Sequence, residues 1–147
     1  IAAEATFGAL VLNQLVKFSV GRARPFTVGA SPGLLAQAVD PSDANLSFFS
    51  GHTTLSFGVV ASLTTLAFMR ENPKAPLLAI FGAPLALLTA ALRLGADKHW
   101  ASDVLLGMAV GTAFGIGVPL LFHRSQTAAT TVRVTPTGNG VAVTGTF

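Results

Sequence analysis

Arg93-Leu94-Gly95-Ala96-Asp97-Lys98-His99-Trp100-Ala101-Ser102-Asp103 is a polar interval between two long apolar runs. Before it, residues 75–92 hold 18 residues without a charge; after it, residues 104–122 hold 19. Uncharged runs of this length are helices that lie in a bilayer or are apolar nearly all round. The interval is therefore where one such helix ends and the next begins. If Asp97 caps the second helix, His99 falls in its first turn and Asp103 one turn later on the same face. An imidazole beside a carboxylate, with the Arg93 guanidinium near, has the parts needed for attack on a phosphate. The carboxylate fixes the tautomer and supports a cationic ring, while a helix N-terminus favours an anion. Taken alone, the interval reads equally well as a solvated turn between two buried helices.

Composition narrows the choice. The chain has 147 residues, enough for one domain with a real core, and is 51% hydrophobic but only 10% charged. Soluble domains carry about 25% charged residues. Nine basic residues stand against six acidic ones. Several of the basic ones fall in the candidate site, and no basic stripe with interleaved aromatics is present, so a nucleic-acid partner is not expected. Cysteine is absent, which excludes disulfides, thiolate metal sites and a cysteine nucleophile. The chain opens at Ile1 directly on a helical pattern and reads as a processed or truncated product.

Working outward, Ala2 to Val20 is a first helix with Gly21 as its C-cap, and Pro25 turns Arg24 away from helix. A long connection from Phe26 to Phe49 follows, with a short helix expected over residues 34–39. A second apolar run of 17 uncharged residues, 53–69, starts after Ser50-Gly51-His52. The polar turn Arg70-Glu71-Asn72-Pro73-Lys74 leads to the third, in which Pro84 predicts a kink. In the fourth, Gly107, Gly111, Gly115 and Gly117 would let another helix approach closely. His123 and Arg124 fit a helix C-terminus that complements its dipole. Alternating valines around Thr137-Gly138-Asn139-Gly140 then signal a hairpin. The expected fold is all-α, an antiparallel helical bundle with a short C-terminal β-hairpin-like tail. Residues 1–124 form the bundle, which reads as N-terminally incomplete, and residues 125–147 form a linker and β-type tail.

Short connections make sequential helices antiparallel neighbours. In an up-down-up-down order, one end of the bundle collects Lys17, Arg24, Ser50, Gly51, His52, Arg93, His99 and Asp103. That end holds every histidine but His123. Three cations around two histidines at helix N-termini form an anion site of phosphate size. Gly51 permits close backbone approach, and Ser50 can cap the second helix or donate to an oxygen. His99, oriented by Asp103, is the nucleophile candidate. His52, without a carboxylate at similar spacing, would protonate the leaving oxygen. Arg22, Asp97 and Lys98 read as structural or rim residues, and Trp100 as an interfacial or packing aromatic.

Three motifs carry a family resemblance. Lys17, six residues, Arg24-Pro25 is the first; Phe49-Ser50-Gly51-His52 is the second; Leu92-Arg93, five residues, His99, three residues, Asp103 is the third. In order and spacing they resemble the type 2 phosphatidic acid phosphatase family, which shares its site with bacterial acid phosphatases and vanadium haloperoxidases. The resemblance implies a metal-independent phosphatase that passes through a phosphohistidine on His99, with His52 as acid and Asp103 orienting His99. Lys17, Arg24, Arg93, Ser50 and Gly51 would hold the phosphate, and no cofactor is implied. The chain departs from the family at Phe49, where proline is usual, and at Leu92, where serine is usual. The first change is expected to loosen the approach to Ser50, the second to remove a hydroxyl donor.

Other function classes stay open on sequence alone. Vanadate bound in the same anion site would make the chain a haloperoxidase-type oxidase. His99 and Asp103 could also ligate a divalent metal, although no HExxH-type set accompanies them and three cations crowd the position. The expected substrate is a phosphorylated small molecule or lipid, hydrolysed as a phosphomonoester or diphosphate. The apolar runs point to a membrane protein. Arg70, Lys74 and Arg124 at the opposite end would place the active site on the periplasmic or other extracytoplasmic side. The alternative is a soluble periplasmic bundle whose helices bury one another.

Overall fold

The apolar stretches fold as helices in the computed structural model, which describes residues 1–28 and 43–123 in full and the backbone of residues 131–137 and 140–146. Helix α1 (Ala2–Val20) ends on Gly21, whose φ of 58° is left-handed and whose N–H donates to the Lys17 carbonyl. That is the glycine cap expected from the sequence. A single 3-10 turn, Pro25–Thr27, follows. Helix α2 spans Gly51–Met69, α3 spans Ala75–Gly95 and α4 spans Ala101–Phe122. Helix α3 continues through Pro84 as one helix. The short helix expected over residues 34–39 lies outside the described residues. The backbone of Thr131–Thr137 (β1) pairs antiparallel with that of Gly140–Thr146 (β2), Thr137 opposite Gly140.

Among the described residues the four helices form a packed bundle with α2 at its centre, against α4 above all and also against α3 and α1. The α2–α4 seam is made by glycine. A Cβ on Gly107 would stand 2.7 Å from the Ser50 carbonyl oxygen, and one on Gly115 2.7 Å from the Gly58 carbonyl oxygen. At Gly111 it would strike the Thr54 carbonyl. Gly117 is not part of the seam: a Cβ there would meet nothing within 4 Å. At the far end of the bundle, His123 Nε2 lies 2.9 Å from Glu4 Oε2, so the end of α4 is tied to the start of α1 as well as capped.

The interior is small and polar. Its apolar members are mainly alanines (Ala5, Ala9, Ala75, Ala86, Ala90), beside buried Thr6, Asn13, Thr53, Thr54 and Ser62. The large side chains point outward: Phe7 is 69% exposed, Phe18 75% and Leu121 78%. This inverts the usual soluble arrangement. Helices α2, α3 and α4 are each long and apolar enough to cross a membrane, and only 22%, 17% and 28% of their apolar windows are buried. A soluble bundle would require those helices to bury one another, and they do not. The chain is a membrane-associated helical bundle.

The seam is directly testable. Gly111→Ala forces α2 and α4 apart and should cost about 1–3 kcal/mol, the usual range for overpacking. Gly117→Ala should be neutral. Thermal unfolding in detergent measures both, and equal behaviour of the two variants would remove the seam as the determinant.

Candidate active site

The end of the bundle where α1 finishes and α2 and α4 begin is built from the loop inward. Asn13, buried on α1, donates from Nδ2 to the Phe49 carbonyl at 2.6 Å. A Cβ on Gly51 would lie 2.9 Å from Asn13 Oδ1 and 3.8 Å from Lys17 Nζ. Residue 51 is therefore glycine because Asn13 and Lys17 lie across the start of α2. Phe49 is only 2% exposed, and its carbonyl is gripped by Asn13. Where the family usually has proline, the buried Phe49 ring and this bond hold the approach to Ser50. Leu92 is exposed on α3.

Ser50 occupies the N-cap position of α2 without capping through its side chain. Its hydroxyl oxygen accepts from Thr53 Oγ1 at 2.9 Å, and its N–H donates to the Asp103 carbonyl. The next three backbone N–H groups, at Gly51, His52 and Thr53, have no helical acceptor and are available to an anion. His52 is exposed in this first turn.

Asp97 does not cap α4. It sits at φ 51° in the turn after α3, where its carbonyl accepts from the Phe26 N–H, and the helix starts only at Ala101 with Trp100 as N-cap. His99 thus precedes the helix, and the i, i+4 spacing does not bring its ring face to face with Asp103. The His99 Nδ1 to Asp103 Oδ2 distance is 3.9 Å, beyond hydrogen-bond reach. Nδ1 lies instead 2.7 Å from the Ser47 carbonyl oxygen. A carbonyl only accepts, so Nδ1 carries the proton and Nε2 keeps its lone pair. Burial, against the Ser47 bond, pushes His99 down to about 4. Neutral at ordinary pH, it presents a nucleophilic nitrogen.

Asp103 is fully buried and has other partners. Arg22 Nη1 donates to Oδ1 at 2.6 Å, Ser47 Oγ donates to Oδ2 at 2.5 Å, and the Trp100 N–H donates to Oδ2 at 3.0 Å. Arg22 is the counter-ion of the buried carboxylate rather than a rim residue. It also donates to Ser102 Oγ, and its guanidinium lies 5.4 Å from the Trp100 ring centroid. Trp100 packs here as expected, with Nε1 donating to the Ala23 carbonyl. Neither Arg22, Ser47 nor Asn13 stands out by spacing. Only the rule that a buried charge needs a partner could have pointed to a missing cation.

The remaining cations differ in how free they are. Arg24, 7% exposed, donates from Nε to the Asp43 carbonyl, from Nη2 to Asp43 Oδ1 and from Nη1 to the Lys98 carbonyl. Each terminal nitrogen keeps a second hydrogen for another acceptor. Arg93 Nε is buried with no partner among the described residues. Lys17 is half-buried, and burial, then the Arg24 charge, pulls its ammonium below the usual lysine range. Among the described residues no three His, Asp or Glu side chains cluster as a metal site.

The depressed His99 fixes a pH window. Folded, the ring should stay neutral until about pH 4, whereas an ordinary histidine titrates near 6.5. Between those values the unfolded chain binds the proton and the folded one does not. Stability is therefore complete above about 6.5 and falls as pH drops toward 4. A ring NMR titration of His99 checks this, and a midpoint near 6.5 would contradict it.

A sequence profile of the PAP2 superfamily matches residues 1–127. The chain is also 34% identical, over 99 residues, to a lipid A 1-phosphatase of Porphyromonas gingivalis; the aligned stretch is 67% of this chain and 18% of the relative's length. No solved structure matches it. The profile covers the whole bundle and all three site motifs, and the chain belongs to the PAP2 superfamily.

Proposed function

We propose that the chain is the catalytic bundle of a metal-independent phosphatase acting on a phosphomonoester or diphosphate, with a lipid phosphate as its substrate class. The observation that carries this reading is the state of His99: a neutral ring with Nδ1 tied to a carbonyl and Nε2 without a hydrogen-bond partner among the described residues, under the charges of Arg24 and Lys17. The likeness to a lipid A 1-phosphatase and the apolar exterior favour a lipid substrate. Asp103, already holding Arg22, Ser47 and Trp100, is a poor metal ligand. No observation favours the vanadate-dependent oxidase.

In the proposed reaction His99 Nε2 attacks phosphorus. The P–N bond forms as the bond to the leaving oxygen breaks, and His52 gives that oxygen its proton. Water, deprotonated by His52, then attacks the phosphohistidine, the P–N bond breaks and inorganic phosphate leaves. Lys17, Arg93, the second hydrogens of Arg24, the Ser50 hydroxyl and the Gly51 backbone stabilise charge on the non-bridging oxygens. Residues 1–124 supply this machinery, and residues 125–147 form an appended linker and β-type tail with no catalytic part.

A phosphate-release panel of lipid and soluble phosphates in EDTA tests the reading. Turnover should persist in chelator, and His99→Ala should abolish it together with an acid-labile, base-stable phosphoenzyme. His52→Ala should lose roughly 10²–10⁴-fold on poor leaving groups and much less on good ones, which need little protonation. Activity lost in EDTA and restored by one metal would overturn the mechanism.

For location, the proposal is a membrane protein with its active site on the extracytoplasmic side, since the charged turn with Arg70 and Lys74 joins α2 to α3 at the end opposite the site. The bundle should resist carbonate and high salt and come out only with detergent. Release without detergent would return the soluble periplasmic alternative.

A further inference from the structure

The Ser47 residue has all three of its polar groups engaged and no exposure at all. Its N–H donates to the Arg22 carbonyl at 3.0 Å, its hydroxyl donates to Asp103 Oδ2 at 2.5 Å, and its carbonyl receives His99 Nδ1–H at 2.7 Å. The Arg22 guanidinium closes the ring of contacts on the other carboxylate oxygen. We propose that Ser47 is the positioning residue for His99, its carbonyl setting the ring and its hydroxyl, anchored on Asp103, setting the carbonyl. Asp103 then acts on His99 through Ser47 and not by direct contact. The proposal rests on His99 being the nucleophile and refines how it is held.

Two other arrangements would look similar in a loop. Asp103 could orient His99 directly, but 3.9 Å to Nδ1 is too long, and its oxygens are satisfied without the ring. Ser47 could also be mere packing, but packing does not require a hydroxyl. With the residue sealed from solvent, no water can replace the Asp103 bond once the hydroxyl is removed. The carbonyl would then be held by backbone alone, and small displacements of a nucleophile are costly.

The test uses the full chain in detergent, with a soluble phosphomonoester as substrate and 15N shifts of the His99 ring as a second readout. Ser47→Ala should lower kcat about 10- to 100-fold with KM changed by less than about threefold, as for a group that acts on geometry and not on substrate binding. Ser47→Cys, a weaker donor of similar shape, should fall between wild type and Ala. It serves as the reference variant if Ala does not fold. Ser47→Ala combined with Asp103→Asn should be no slower than Asp103→Asn alone, within about threefold, because both cut one path. In Asp103→Asn the proton should stay on Nδ1, since the Ser47 carbonyl is still there. Full kcat in Ser47→Ala, multiplying losses in the double variant, or transfer of the proton to Nε2 in Asp103→Asn would each overturn the proposal. A wild-type protein that releases no phosphate would instead defeat the phosphatase reading, while the ring shifts would still report on Ser47.

Discussion

A carboxylate with no solvent exposure has to bring its counter-charge with it, and Asp103 organises this end of the bundle for that reason. Left unpaired it would cost roughly 3–5 kcal/mol. It is satisfied by Arg22 from the linker after α1, by Ser47 from the loop before α2, and by the backbone of Trp100 at the head of its own helix. Its backbone carbonyl also receives the Ser50 N–H. Stretches far apart in the chain are thus referred to one side chain, and His99 is placed by one of them. The proposed chemistry depends on this electrostatic requirement through the placement of His99.

The glycine seam supplies the second constraint. Lipid removes most of the hydrophobic drive that joins helices in water, so close packing of small residues carries more of the association. The seam starts at Gly107 against the Ser50 carbonyl, one turn from Asp103. The register that lets α2 and α4 touch is therefore the register that sets His52 relative to His99. Packing and the candidate site share residues, and the interior consists mainly of alanine, threonine and serine while leucine and phenylalanine face outward.

How much of this was legible in the sequence depended on whether the signal was local. Gly21, the Ser50-Gly51-His52 start and the charged turn at 70–74 marked helix limits within a residue or two, because caps and breakers act on their neighbours. The gathering of Lys17, Arg24, His52, Arg93 and His99 at one end followed from counting helices. Arg22, Asn13 and Ser47 were missed because their partners lie 81, 36 and 56 residues away. Asp97 misled because a capping residue and a left-handed turn residue draw on the same side chains. Gly117 stands only two residues after Gly115, off the four-residue spacing of Gly107, Gly111 and Gly115, and a Cβ there would meet nothing within 4 Å.

Charge accounting connects these features to substrate chemistry. Of the cations at this end, Arg22 is matched by Asp103 and Arg24 by Asp43. Lys17, Arg93 and Lys98 have no carboxylate partner among the described residues, and Arg93 keeps a buried Nε without an acceptor. Five cations, Lys17, Arg22, Arg24, Arg93 and Lys98, against Asp43, Asp97 and Asp103 leave this end with two positive charges in excess, about what a phosphate monoester dianion offsets, since it carries between 1.5 and 2 negative charges at neutral pH, roughly as a phosphoserine does. A diester, with a single charge, would leave one cation unmatched in a half-buried site. For the proposed phosphatase, this balance favours a terminal phosphate over a bridging one. Of the two arginines with carboxylate partners, Arg22 is taken up by Asp103 and Ser102, while Arg24 ties the loops together and still keeps a second hydrogen on each terminal nitrogen.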